Sequence, residues 1–557
     1  MKYIFLLISL FTFNFLQAQV TGVVKDAAGE PIPGANVFWM NTTNGVTTNE
    51  DGNFSIHKPA RSHMLVVSFI GFENDTIHVD KGNQQLDIVL REGVELSEVN
   101  VVTRKLGTMK LRTSVMNEDM ISSAELTRAA CCNLGESFVT NPSVDVSYSD
   151  AATGAKQIKL LGLSGTYVQM MTENIPNFRG AAAPYGLGYV PGPWMQSIQV
   201  SKGSSSVKNG YESITGQINV EFKKPQLPEA DWVSANLFAS STNRYEANAD
   251  ATVKLSKRWS TSLLAHYENE TKSHDSNDDG FVDIPRVEQY NVWNRWAYMG
   301  DHYVFQAGIK ALHETRNSGQ IAHGNTPSHD LYEIGIKTNR YEAFTKNAYI
   351  FDKEKNTNLA LILQGTLHNQ DANYGRKLYD VDQSNFYASL LFETELSKQH
   401  SLSAGLSFNY DGYDQNYRLT NQAEEGLTKK FVKESVPGAY VQYTFNLNDQ
   451  LMLMGGVRGD YSSEYGFFVT PRAHVKYNPN EYLHFRLSVG KGYRTNHVLA
   501  ENNYLLASSR KMKIASHLDQ EEAWNYGASV STYIPLFGKT LNVNAEYYYC
   551  LLYTSPS

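Results

Sequence analysis

Cysteine is nearly absent, with 3 in 557 residues, and Cys131 and Cys132 are adjacent, so they could pair with each other only in a strained ring. After the N-terminus there is no unbroken run of about 18 apolar residues, so any membrane span must be built from strands. Positive charge is not in excess: 49 Lys+Arg stand against 57 Asp+Glu, a net charge of -8. That balance argues against a nucleic-acid partner, which calls for a basic surface. No HExxH or HxxE occurs, and His57, His63 and His78 lie in strand-like runs, so no zinc-peptidase ligand set is present. We therefore expect no enzyme, no catalytic residue and no required cofactor. What is abundant is tyrosine, 34 residues in a moderately polar chain, which suits an outer-membrane barrel.

The chain opens with Lys2, a mostly apolar stretch from Ile4 to Leu16, and Ala18 before Gln19. This is the pattern of a signal peptide over 1–18, too short for a spanning helix. Residues 19–91 alternate β-branched runs with Gly/Pro turns, as in "VTGVVKDAAGEPIPGANVFW". Asp51-Gly52 in "TTNEDGNFSIH" carries a hairpin signal. These pieces predict a small β-sandwich. Residues 92–103, "EGVELSEVNVVT", form an extended bridge. Residues 104–225 hold a helix-like run into Asn141-Pro142-Ser143-Val144, then "KQIKLLGLSGTYVQMMTENIPNF" and "MQSIQVSKGSSSVKNGYESITGQINVEFKKP". In the last run the alternating Ile198, Val200, Ile218 and Val220 read as buried strands. Gly203, Gly210 and Gly216 let the backbone turn where a side chain would clash.

In their order these segments resemble TonB-dependent outer-membrane receptors that carry an N-terminal carboxypeptidase-regulatory-like domain. The resemblance implies a regulatory-like sandwich at 19–91, without catalysis. A TonB box follows at Glu98, Val99, Asn100, Val101, Val102 and Thr103, where an extended segment can add a strand to a periplasmic partner's sheet. The α+β plug would span 104–225. Its signature is Ile198, Val200, Lys202, Gly203, Gly210, Gly216 and Ile218. Gln199 and "LLG" depart from the family pattern and leave the cargo open.

From Trp232 the texture becomes that of a barrel. In "RYEANADATVKLS", Tyr245, Ala247, Ala249, Ala251 and Val253 alternate with Glu246, Asn248, Asp250, Thr252 and Lys254, one face for lipid and one for a wet lumen. Short polar turns alternate with long polar stretches at about 271–290, 313–340, 370–382, 413–433 and 491–520. At roughly 22 residues per strand the stretch 232–557 holds about 15 strands, against 22 for a plugged transporter. The fold class expected is mainly β: sandwich, α+β plug and an incomplete antiparallel transmembrane barrel. The chain stops at "CLLYTSPS", without a terminal aromatic, so a truncated sequence is expected, with Cys550 in a tail of read-through.

Cargo should sit where plug apices and long loops converge. Candidate contacts are Arg179, Tyr185, Tyr189 and Trp194, set against ordinary packing of an ordered plug loop. Cys131, Cys132, Met170, Met171 and Met195 could supply soft ligands to copper, or be a buried structural set. Asp275, Asn277, Asp279, Gly280 and Asp283 resemble the start of a calcium loop, but Arg286 stands where a bidentate Glu is needed. A solvated loop is the competing reading. His313, His323 and His329 lie in or near one long loop. The resemblance implies energised import of a small-molecule ligand across the outer membrane of a Gram-negative bacterium. TonB-ExbB-ExbD would be the partner, and the N-terminal domain would lie in the periplasm. A ferric siderophore or similar chelate ranks first, copper or another metal ion second, and an oligosaccharide third. A passive adhesin or structural barrel is the reading from a different class.

Overall fold

The computed structural model describes residues 19–553 apart from 27–28, 40–44, 50, 59–63, 70–71, 73–74, 80–84, 91–107, 112–113, 130–131, 140, 226–231, 322–330, 423–425, 448–449, 481, 516–517 and 537–538. The chain divides into two compact units, one ending near residue 95 and one from about 106 onward.

The first unit is a two-sheet sandwich. Its strands are β1 (Gln19–Lys25), β2 (Asn36–Trp39), β3 (Gly45–Thr47), β4 (Asn53–His57), β5 (Met64–Ser68), β6 (Asp75–His78) and β7 (Gln85–Val89). They form sheets β4-β1-β7 and β3-β2-β5-β6. Alternate residues such as Val20, Val24, Phe54, Ile56 and Ile88 point inward onto Trp39, Leu65 and Val67. The hairpin expected at Asp51-Gly52 is corrected. The turn exists, with Gly52 at φ +71. Yet β3 pairs with β2 and β4 pairs with β1, so the turn carries the chain between sheets.

In the second unit the plug contributes β8 (Thr108–Lys110), β9 (Asn117–Ser122), β10 (Val144–Asp150), β11 (Ala155–Leu160), β12 (Leu163–Ser164), β13 (Val168–Thr172), β14 (Ile175–Pro176), β15 (Met195–Lys202) and β16 (Gly216–Phe222). The helix-like run is a six-residue helix α1 (Ser123–Arg128) and a 3-10 turn over Leu134–Phe138. The main plug sheet runs β14-β13-β16-β15-β9-β8. Ile198 faces Val220, Val200 faces Ile218 and Lys202 faces Gly216. Those four apolar residues are fully buried. Gly216 is required: a Cβ there would lie 2.2 Å from the Ser201 carbonyl oxygen.

The wall is one antiparallel sheet of 15 strands in sequence order. These are β17 (Trp232–Ala239), β18 (Arg244–Lys254), β19 (Trp259–Glu270), β20 (Arg286–Met299), β21 (Tyr303–Gly319), β22 (Glu333–Asp352), β23 (Thr357–Tyr374) and β24 (Lys377–Ser397). Then come β25 (His400–Arg418), β26 (Thr428–Leu447), β27 (Leu451–Ser462), β28 (Gly466–Asn480), β29 (Leu483–Arg494), β30 (Glu521–Leu536) and β31 (Lys539–Tyr553). Among the described residues β17 and β31 have one neighbour each. The expected alternation holds. Glu246, Asn248, Asp250 and Thr252 are buried against the plug, while Leu263, Val292, Ile309, Leu367, Leu406 and Val441 are exposed on the outside.

Several stretches read as loops are strand. Gly375 and Arg376 alone separate β23 from β24, so the loop expected at 370–382 is a tight hairpin. His313 lies in β21, opposite Asn339, not in a loop. The reason is that wall strands up to 21 residues long carry polar residues on both faces near their tips, which removes the period-two contrast. Cys550 pairs opposite Asn525 in β31.

A candidate ligand cavity between plug and wall

The longer connections gather at one end of the barrel, and there the plug leaves a cavity of about 270 Å³. Its plug side is formed by Cys132, Asn133, Glu136, Tyr148, Lys156 and Tyr185, and its wall side by the ends of β18 to β21. Period two places Arg244, Glu268, Glu270, Gln289, Glu314 and Arg316 on the lumen face of those strands.

Arg244 links the two sides. Its Nη1 donates to Glu136 Oε1 of the plug at 3.1 Å. Its Nη2 lies 2.7 Å from Glu246 and its Nε 2.9 Å from Glu268. Glu136 also accepts from the Cys132 backbone N–H at 3.1 Å and has Lys156 Nζ at 3.9 Å. Burial alone would raise the Glu136 carboxyl, but Arg244 and Lys156 outweigh it and hold the group below the ordinary carboxylate range. Lys156 is pushed down by burial, which Glu136 only partly offsets. Burial, reinforced by the Glu246 carboxylate, pushes the Cys132 thiol up, so it is a neutral thiol at pH 7. Arg316 pairs with Glu314 at 3.0 Å and stands over the Tyr185 ring at 5.1 Å. Burial pushes the Tyr185 phenol up to about 12.

The expected contact residues divide. Tyr185 reaches the cavity, though it is nearly buried. Tyr189 and Trp194 are 0% exposed and do not line that cavity. The reason is that plug and wall share one apolar core, in which Trp194 lies 6.3 Å from Trp293 and edge-on to His266 at 6.5 Å. Tyr189 packs 6.3 Å from His368. Arg179 is an ion-pair tie, 2.6 Å from Glu212 and 3.1 Å from Asp411. Burial opposes its charge, yet Asp411 and Glu212 hold it well above the ordinary guanidinium value.

The described soft-ligand candidates sit on different elements. Met171 faces Asn219 on β16, and Asn219 faces Gln199 on β15, four residues from Met195. Met170 points to the opposite face of β13 from Met171. Cys132 is at the cavity, and its carbonyl accepts from the Gly192 N–H at 2.8 Å; Cys131 lies outside the described residues. Among the described residues no three His, Cys, Asp or Glu side chains are grouped to hold a metal ion. The calcium-like loop satisfies itself: Asp275 accepts from the backbone N–H groups of Asp279 and Gly280 at 3.1 and 2.9 Å. The segment 98–103, His323 and His329 also lie outside the described residues.

Two features escaped sequence reasoning. One is the Arg244 network. The other is the connection after β29, where α2 (Val498–Asn502) and a 3-10 turn over Asn503–Ala507 fold onto the plug. Asn503 Oδ1 accepts from the hydroxyls of Tyr374 at 3.0 Å and Tyr185 at 3.3 Å. Lys377 Nζ donates to the carbonyls of Leu506, Ser508 and Arg510 at 3.1, 2.5 and 3.3 Å.

Lys202 of the plug signature reaches Asp119 at 2.8 Å and Glu546 of the wall at 3.0 Å. Residues 20–102 match a family described as CarboxypepD_reg-like domain, and residues 110–217 match the TonB-dependent Receptor Plug Domain. Residues 201–549 match the family described as TonB dependent receptor-like, beta-barrel. The chain belongs to the TonB-dependent receptor family. Family and strand-built wall together make this receptor an outer-membrane protein. It is 28% identical over 245 residues to TonB-dependent receptor SusC of Bacteroides thetaiotaomicron, covering 41% of this chain and 24% of that one. It is 39% identical over 100 residues to TonB-dependent receptor P39 of Formosa agariphila, covering 17% and 10%. These stretches span a quarter or less of the relatives' lengths. The alcaligin outer-membrane receptor FauA of Bordetella pertussis superposes with a TM-score of 0.62 at 14% identity, over 82% of this chain and 76% of that one. Copper transporter OprC does so with a TM-score of 0.62 at 11% identity, over 80% and 72%. At these identities the superpositions establish the fold.

Proposed function

We propose that this receptor imports a scarce metal chelate across the outer membrane, driven by the inner-membrane proton gradient through a TonB-ExbB-ExbD complex. The long-loop end faces outward, the N-terminal sandwich lies in the periplasm, and 98–103 is the segment that TonB grips. Cargo enters the outer cavity and meets plug and wall together at Glu136 and Arg244.

The observation that carries the reading is the seal. Plug and wall share a core from Ile121 to Ile514, and ion pairs such as Glu173–Arg295 at 2.7 Å tie them where both side chains are almost fully buried. Breaking a buried pair by removing one partner costs about 3–5 kcal/mol, so a permeation path needs external work. A chelate brings its own metal ligands, which suits a cavity with hydrogen-bonding and charged groups and, among the described residues, no group of three His, Cys, Asp or Glu ligands. FauA is described as a receptor for alcaligin and OprC as a copper transporter; the names of SusC and P39 state no ligand. The copper reading keeps one support, Cys132 at the cavity.

The test is uptake of a radio-iron chelate by cells carrying the intact receptor, with and without an uncoupler of the proton gradient. We expect surface binding to persist and uptake to stop. Uptake that continues at the same rate in uncoupled cells would contradict energised import.

A further inference from the structure

The outer cavity also bears on the charge of the cargo, an inference that rests on reading it as the cargo site. Glu270 ends β19 on the lumen face, is 7% exposed and lines the cavity. Its backbone faces Arg244 across the sheet. The Arg244 guanidinium, however, is committed to Glu136, Glu246 and Glu268 at 2.7–3.1 Å. Arg316 is taken by Glu314 and Lys156 lies beside Glu136. His274 gives Nε2 to the Thr242 carbonyl at 2.7 Å. Among the described residues Glu270 is thus left without a hydrogen bond or ion pair, although more than nine-tenths buried. At and beside the cavity five carboxylates, those of Glu136, Glu246, Glu268, Glu270 and Glu314, face three cations. A largely buried carboxylate with cations near it but no hydrogen bond or ion pair of its own is costly, and a ligand that supplies a contacting cation recovers part of that cost. An anionic chelate would instead add to the excess.

We propose that Glu270 receives a cationic nitrogen of the cargo, a protonated amine or a guanidine, and that the outer cavity selects positively charged chelates over neutral and anionic ones. Arg244 is the positioning residue in this scheme. By holding Glu136, Glu246 and Glu268 it leaves Glu270 as the free acceptor. The pairing transfers no proton and breaks no covalent bond; a solvated ammonium exchanges water for a carboxylate.

The probe is a pair of ferric complexes of one linear trihydroxamate, ending either in a free primary amine or in the same amine acetylated. Metal coordination is identical and the complexes differ by one charge. Binding to the full chain in detergent is measured by titration calorimetry. We expect the amine form to bind at least about tenfold more tightly, a difference of about 1.4 kcal/mol. Glu270→Gln, which keeps the side-chain shape, should bring the two within about twofold. Equal affinities, tighter binding of the acetylated form, no binding of either, or a preference unchanged in Glu270→Gln would each overturn the assignment. So would displacement of the amine complex by copper(I) ions in a manner lost in Cys132→Ser, which would mark a metal site instead. Uptake indifferent to an uncoupler would sink the import reading while leaving an intact amine preference standing.

Discussion

Glu136 and Arg244 illustrate how single residues decide what the plug can do. The Glu136 carboxyl is held below its ordinary value, so the sign of its pH dependence follows. Its contribution is fully present above the unfolded carboxyl value, about 4.3, and is lost as pH falls through the lower folded value. Glu136→Gln should therefore destabilise plug docking at pH 7, by about 1 kcal/mol given its one-third exposure, and by nearly nothing once pH is well below 4. The difference in melting temperature between the two proteins, measured across pH, checks this. Trp194→Ala makes the opposite point. Its ring is enclosed by Trp293 and His266, so truncation should cost about 3–5 kcal/mol while leaving cavity affinity unchanged in whatever protein remains folded. Chemical unfolding beside ligand titration separates the two effects. Trp194 is core because the rings that enclose it, those of His266 and Trp293, come from strands about 70–100 residues further along. The parity that puts Glu246 in the lumen also puts Glu268 and Glu270 there, so the cavity's wall residues were within reach of the alternation argument. Their convergence on Glu136 was not.

At the scale of elements, alternation located the wall, and its limits located the errors. On β25 the outward residues Leu402, Ala404, Leu406 and Phe408 give way to Asp414, Asn416 and Arg418 toward the long-loop end. The apolar part reads as lipid-facing, and the polar tip reads as loop until register shows it paired. If that apolar part faces lipid, Leu406→Arg should destabilise the barrel in vesicles by about 2–4 kcal/mol. On an aqueous surface the same change would fall within about 0.5 kcal/mol. Unfolding by denaturant in lipid vesicles distinguishes these outcomes. The plug signature was legible because its glycines and alternating Ile/Val residues answer to strict backbone demands. The fold of the 495–507 connection onto the plug was not, since hydrogen bonds from Tyr374, Tyr185 and Lys377 hold it, and none of these is local in sequence.

Across the whole molecule, the sequence estimate of about 15 strands equals the 15 paired in the wall among the described residues. The plug fills the lumen of that wall and is tied to it at Glu136–Arg244, Glu173–Arg295, Arg179–Asp411 and Lys202–Glu546. Opening a path between plug and wall therefore means breaking buried ion pairs, at about 3–5 kcal/mol each. The most direct measurement is uptake of the radio-iron chelate by cells whose receptor lacks residues 98–103, with surface binding followed in parallel. The account predicts binding within about twofold of the intact receptor and uptake reduced to the level of cells without it. Uptake at the intact rate after that deletion would contradict it.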